Sequence, residues 1–158
     1  MDDKVLSKHH TELDQRIAVL LTKADGDDCH DLANAWNRFE RELLRHLDLE
    51  EHELFPRLKT EHPEDVAALT QDHEALRRDL LALGVRADLH CLRAEAVRTF
   101  VADLRAHAAR EDETLYRWAS RDVDGDAWAR IARSLREARD SAAERTGAEL
   151  SQLGARTL

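Results

Sequence analysis

The sequence predicts an all-α protein: an up-down four-helix bundle followed by one additional C-terminal helix. Three observations carry this. Ala, Leu, Arg and Glu dominate a chain with only 5 glycines and 2 prolines in 158 residues, a balance that favours helix over sheet. Apolar residues recur at alternating spacings of three and four over four long stretches. Short Asp/Gly- or Pro-containing segments separate those stretches, and short turns between long helices make consecutive helices antiparallel neighbours.

The first pattern starts near Asp3 and carries Leu6, His10, Leu13, Ile17, Leu20 and Ala24 on one stripe, with His9 placed about 100° around the helix from His10. Asp25-Gly26-Asp27-Asp28 supplies a stop and a turn. The second pattern runs from about Asp31 to Lys59 through Leu32, Trp36, Phe39, Leu43, His46, Glu50, Leu54 and Leu58. Pro56 removes a backbone donor there and should kink the last turn or two. Thr60 to His62 forms a connection, and Pro63 suits the first turn of the third helix, where a missing N–H costs nothing. Val66, Leu69, His73, Leu76, Leu80 and Leu83 follow, with Gly84 as the expected end. The fourth pattern, from about Asp88 to Ser120, sets Val97, Phe100, Leu104, His107, Glu111 and Trp118 in register. Asp122-Val123-Asp124-Gly125-Asp126 makes a turn and an N-cap. Trp128, Ile131, Leu135, Ala138 and Ala142 then mark a weaker fifth helix, expected to pack on or beside the bundle, before a tail from about Gly147 that is expected to fray. The expected division is a bundle domain over 1–120 and a C-terminal helix within 121–158.

Composition narrows the function. At this length one domain buries roughly 70% of its unfolded surface, so a single substantial core is expected. A net charge of −9 argues against a nucleic-acid partner, which needs a basic face to displace counterions. Cys29 and Cys91 lack metal-type spacing and read as free thiols of a reducing compartment, with a single bridge between them as the alternative. The start Met1-Asp2-Asp3-Lys4 has no signal-peptide character, and no window approaches the ~20 apolar residues of a membrane span. A cytoplasmic protein with no membrane partner is expected.

The informative feature is where ionisable residues interrupt the apolar stripes. His46 and Glu50 stand four apart on one face of the second helix, and His107 and Glu111 repeat that arrangement on the fourth. Lone histidines, His10 and His73, precede these pairs by 36 and 34 residues. The repeat extends locally: Lys8-His9-His10 parallels Gln71-Asp72-His73, and His46, Glu50, Glu51, Leu54 and Phe55 parallel His107, Glu111, Asp112, Leu115 and Tyr116. Burying these groups unpaired would cost several kcal/mol for each ionised side chain. A nitrogen and oxygen ligand set without thiolate suits Fe, Mn or Zn, and two carboxylates between two pairs of imidazoles suit a dinuclear site. By the repeat, His10 and His46 serve one ion and His73 and His107 the other, with Glu50 and Glu111 bridging. A hydrogen-bonded structural role would suffice for any one of these histidines alone. Glu51, Glu53 and Asp112 read mainly as solvated helix charges, and His30, His52, His62 and His90 fall off the stripes.

His10, His46-x3-Glu50-Glu51-x2-Leu54-Phe55-Pro56, His73 and His107-x3-Glu111, over roughly residues 5 to 120, resemble hemerythrin and the hemerythrin-like (HHE cation-binding) proteins. The resemblance implies a hemerythrin-like bundle and a non-haem, carboxylate-bridged pair of iron ions with an oxo or hydroxo bridge, reactive toward O2, peroxide or NO. Two positions depart from the oxygen-carrying members. Arg77 stands four residues after His73, where they place a further histidine, and Glu111 is followed by Asp112 where they use an aspartate as last carboxylate. The missing imidazole should leave an open position, favouring turnover of peroxide or O2 over reversible O2 storage, with Arg77 hydrogen-bonding a bound peroxide if it reaches inward. Tyr116 and Trp118 read mainly as packing residues, with Tyr116, one turn past Glu111, as the alternative hydrogen-bond donor behind the ligands; further ligands or supporting groups are likewise the alternative reading of Glu51, Asp112 and His9. The alternative function is a module that senses iron, O2 or NO without turnover.

Overall fold

The computed structural model describes residues 4–26 and 28–138. Helices α1 (Val5–Ala24), α2 (Cys29–Leu49), α4 (Pro63–Asp88) and α5 (Ala94–Glu113) form the bundle. A π-helical turn (Glu50–Leu54) and the short α3 (Phe55–Leu58) extend α2, and α6 (Leu115–Asp122) extends α5. A last helix, α7, covers 125–138, where the described residues end; Ala142 and the tail from Gly147 lie outside them. Helix α1 packs on α2 and α5, and α4 packs on the same two, which is the closed ring expected of two antiparallel hairpins. Among the described residues no helix is long and apolar enough to cross a membrane.

Local chemistry explains most boundaries. The Asp28 side chain accepts the Asp31 N–H at 2.9 Å and caps α2, and Asp124 does the same for the Ala127 N–H at 2.8 Å at the start of α7. Pro56 cannot supply the N–H that a regular turn would direct to the His52 carbonyl, and its ring would press on that carbonyl. The helix widens by one residue just before it: the Phe55 N–H reaches the Glu50 carbonyl, five residues back. The fourth pattern breaks at the equivalent place without proline. Thr114 leaves helical geometry (φ −122°, ψ −76°), and its hydroxyl donates to the Arg110 carbonyl at 2.6 Å.

Two helix ends differ from expectation. Gly84 does not stop α4; it is buried within the helix, and a Cβ there would lie 3.0 Å from Glu40 Oε1 on α2. The glycine admits the Glu40 side chain between two helices. The stop is His90, in the left-handed region at φ 55°. The Cys91 N–H bonds to the Arg86 carbonyl at 2.8 Å and the His90 N–H to the Ala87 carbonyl at 3.0 Å, a C-terminal motif in which glycine usually takes the left-handed position. Helix α5 therefore begins at Ala94 rather than near Asp88.

The apolar interior comes in two parts. One is built by Leu13, Ile17, Trp36, Phe39, Leu80 and Phe100 with their neighbours. The other contains Leu6, Leu54, Phe55, Leu115, Trp128 and Ile131. Helix α7 is thus part of the core: Trp128 and Ile131 are fully buried, Arg130 forms a two-pronged pair with Glu53 (2.9 and 3.2 Å), and Arg45 bonds to Ser134. Along α1 and α4 the residues of these two parts lie on either side of His10 and His73.

Candidate metal centre

All six side chains singled out by the repeat converge between the two apolar regions. His46, Glu50, His73, His107 and Glu111 are buried, and His10 keeps 12% of its side-chain surface exposed. Two groups that could hold a metal ion result, His10-His46-Glu50-Glu111 and Glu50-His73-His107-Glu111. Within each, one donor atom per residue lies within 4.8 Å of all the others, and both glutamates belong to both groups.

The orientation of the imidazoles is regular. His10 Nε2 lies 3.3 Å from Glu111 Oε2, and His46 Nε2 lies 3.3 Å from Glu50 Oε1. His73 Nε2 is 3.2 Å from Glu111 Oε1 and 3.5 Å from Glu50 Oε2, and His107 Nε2 is 2.9 Å from Glu111 Oε1. The Nδ1 atoms face outward. His73 Nδ1–H donates to Glu51 at 2.9 Å, His107 Nδ1 lies 3.5 Å from Asp72, and His10 Nδ1 lies 3.6 Å from Asp112. His46 Nδ1 instead meets His9 Nδ1 at 2.9 Å. A carboxylate behind an imidazole fixes its ring and tautomer and raises its basicity toward a metal on the other nitrogen.

These outer partners follow the internal repeat. The residue before each lone histidine, His9 or Asp72, supports the paired histidine of its own hairpin. The residue after each glutamate, Glu51 or Asp112, supports the lone histidine of the other hairpin. Glu51 and Asp112, which the sequence suggests mainly as solvated charges with a supporting role as the alternative, thus stand behind histidines, and Asp72 joins them with no role suggested by the sequence. His9 is buried as well: positions 9 and 10 both fall within about 60° of Leu6 on the helical wheel, so a stripe cannot choose between them. His9 faces His46 on α2, and His10 faces Glu111, Asp112 and Tyr116.

Arg77 does not reach the interior. Its guanidinium donates to Asp48 at 2.8 Å and to Glu51 at 3.1 Å, so it acts on His73 only through Glu51. Tyr116 comes closer than expected: its hydroxyl donates to Glu50 and lies 3.1 Å from His10 Nε2 and 3.3 Å from His46 Nε2. Glu53 pairs with Arg130 and Arg57, and His52 is exposed, its ring against the Asp48 carbonyl. His62 stacks face to face on Trp118 and, with Glu61 and Asp122, forms a separate, solvent-facing group. His30 and His90 stack on each other away from the site. Cys91 is an exposed free thiol.

Electrostatics show how poorly the cluster satisfies itself. Burial pulls the His10 imidazole down, but hydrogen bonds to Asp112 and Glu111 and the charge of Glu50 outweigh it and raise the pKa to about 10. His73 and His107 are likewise pulled down by burial yet raised overall by Glu111 and Glu50. His46, fully enclosed, is held well below its ordinary value by burial and by the charge of His10. Burial and the neighbouring Glu111 charge push Glu50 up to about 8, while the three imidazoles around Glu111 overcome its burial and keep it ionised. Even so, Glu50 Oε2, Glu111 Oε2 and His107 Nε2 are buried without a well-formed hydrogen bond among the described residues. Buried acceptors left unmatched are costly. A cation at the centre of each group would answer these atoms, so the donor set fits a divalent metal.

A cavity of about 360 Å³ between α1 and α5 ends on His10, His46, His107 and Glu111. The family model of the hemerythrin HHE cation-binding domain matches residues 1–119. No curated protein and no solved structure gives a significant match. The match spans the whole four-helix bundle and all six converging side chains, and the chain belongs to the hemerythrin HHE cation-binding domain family.

Proposed function

We propose that this chain is a non-haem di-iron protein that reacts with peroxide or O2, in an oxidative-stress role. One observation carries the reading: the two ligand groups share Glu50 and Glu111, so two ions held there would be neighbours bridged by carboxylates. Bound there, a pair of ferrous ions would supply two electrons together to an O–O bond. His10 and His46 would hold one ion, His73 and His107 the other, with Glu50 and Glu111 between them.

The remaining side chains orient and protonate. Glu51, fixed by Arg77, keeps the His73 proton on Nδ1 and its lone pair on Nε2. Asp72 biases His107 the same way at 3.5 Å, and Asp112, 3.6 Å from His10 Nδ1, acts on His10 through its charge. A neutral His46 that donates from Nδ1 to His9 presents its Nε2 lone pair inward. The Tyr116 phenol keeps its proton, since burial and the Glu50 and Glu111 charges raise its pKa well above the ordinary value. It is thereby a hydrogen-bond donor at the Glu50 end of the site. The apolar walls of the α1–α5 cavity limit water at the cluster and leave a way in for a small neutral molecule.

The test is metal content with the visible spectrum of the oxidised protein. About two irons per chain, an oxo-bridge charge-transfer band and rapid peroxide consumption support the reading. A colourless protein holding a single zinc would refute it, and a long-lived oxy complex released intact, with no peroxide consumption, would refute turnover. A second reading, an iron, O2 or NO sensor, draws on the position of the cluster between two apolar regions, where loss of the metal would loosen both. Large loss of helix on iron removal or reduction, without turnover, would favour it.

A further inference from the structure

The cavity between α1 and α5 is far larger than a diatomic or hydrogen peroxide requires. At roughly 30 Å³ per water-sized group, its 360 Å³ has room for about a dozen such groups. Its chemistry is layered. Leu13, Ile17, Leu43, Leu47 and Leu104 form apolar walls, while the floor is the imidazole and carboxylate cluster. At the outer edge Arg105 donates to Asp14 at 2.7 Å, a pair that cancels its own charge. Small side chains keep the seam open: Thr11 on α1, and Ala108 and Ala109 on α5.

A molecule matching these layers has one polar end, an apolar body and no net charge. Anions are disfavoured on the way in, because the exposed Asp112 belongs to the lining and the chain carries a net charge of −9. We propose that this cavity selects an alkyl hydroperoxide of about six to eight carbons as the oxidant, its chain along the leucine walls and its peroxide group at the floor. The inference rests on the peroxide-reactive reading above and adds the substrate class. The reaction balances as a two-electron reduction: the O–O bond breaks, two ferrous ions give one electron each, two protons are taken up, and the products are the alcohol and water.

Binding and selectivity test it together on the full chain. Straight-chain 1-alcohols, unreactive mimics of the hydroperoxide, are titrated calorimetrically. Each added methylene that finds a wall should tighten binding about fourfold, the equivalent of burying one CH2, from 1-butanol to 1-hexanol, and the gain should cease near 1-octanol. Ala108→Phe, which fills the seam, should weaken 1-hexanol binding at least tenfold and lower by a similar factor the ratio of second-order rate constants for single-turnover oxidation of the ferrous protein by hexyl hydroperoxide over hydrogen peroxide. Ala108→Leu should fall between and serves if the phenylalanine variant loses helical circular dichroism. Hydrogen peroxide turnover with no gain along the alcohol series, or with a selectivity ratio unmoved in folded Ala108 variants, would overturn this inference and leave the proposed function standing. Stepwise alcohol binding with no consumption of either peroxide would refute the proposed function and the hydroperoxide assignment with it.

Discussion

Replacing Glu51 by glutamine keeps an oxygen that can accept the His73 Nδ1–H but removes the charge behind that imidazole. In the native chain the carboxylate accepts the His73 Nδ1–H at 2.9 Å and is itself held by Arg77 at 3.1 Å. Burial raises the Glu51 carboxyl, but the His73 and Arg77 hydrogen bonds overcome this and lower its pKa, so the charge is present at neutral pH. Loss of such a carboxylate costs about 10- to 100-fold in metal affinity. Glu51 keeps 29% of its side-chain surface exposed, and solvent screens its field, which places glutamine at the lower end, about tenfold or ~1.4 kcal/mol. Glu51→Ala, which also leaves Nδ1–H without its acceptor, should cost more, and Arg77→Ala, acting only through Glu51, should cost less than Glu51→Gln. Competition for ferrous or cobaltous ion against a chelator of known affinity measures the series, with circular dichroism as the folding control. Native affinity in Glu51→Gln, or a greater loss in Arg77→Ala than in Glu51→Ala, would refute the relay from Arg77 through Glu51 to His73.

Three further outcomes are expected. Glu50→Ala and His107→Ala should each lose bound metal, measured by elemental analysis, while His52→Ala, exposed and away from the cluster, should retain it. His90→Gly should raise the unfolding free energy by about 1 kcal/mol, because glycine adopts the left-handed conformation without a Cβ penalty; chemical denaturation decides the sign, and an unchanged or lower midpoint counts against the assigned strain. Glu53 has its carboxyl held below the ordinary range chiefly by its hydrogen bond to Arg130 on α7. A depressed carboxyl contributes stability that is present above its unfolded pKa and lost as pH falls through the folded one. The melting temperature of the native chain should therefore exceed that of Glu53→Gln at pH 7, and the gap should close below about pH 4.

The long helices and the six converging side chains were legible in the sequence because both rest on the period of the helix. Apolar residues at three and four mark a buried face, and an ionisable residue on that face must be answered by something. The repeat of His46-Glu50 in His107-Glu111 made two independent faces agree. What the period could not do was resolve adjacent positions: it put His10 inward and His9 aside, whereas two residues 100° apart can both lie under neighbouring helices. It also read Gly84 as an end, because a glycine that stops a helix and one that admits Glu40 look alike in sequence. The stop at His90 and the break at Thr114 depend on backbone conformations that neither residue type announces.

The tertiary structure alone decided the outer partners. Glu51 meets His73 across 22 positions of chain, His9 meets His46 across 37, and Tyr116 meets Glu50 across 66. Such contacts are fixed by how the helices are rotated and staggered against one another, which is settled by side-chain packing over the whole bundle. The same is true of the cavity beside Ala108, which is lined by residues of three helices distant in sequence, α1, α2 and α5. Local periodicity thus determined which residues turn inward, and the packing of helices distant in sequence determined what each of them meets there.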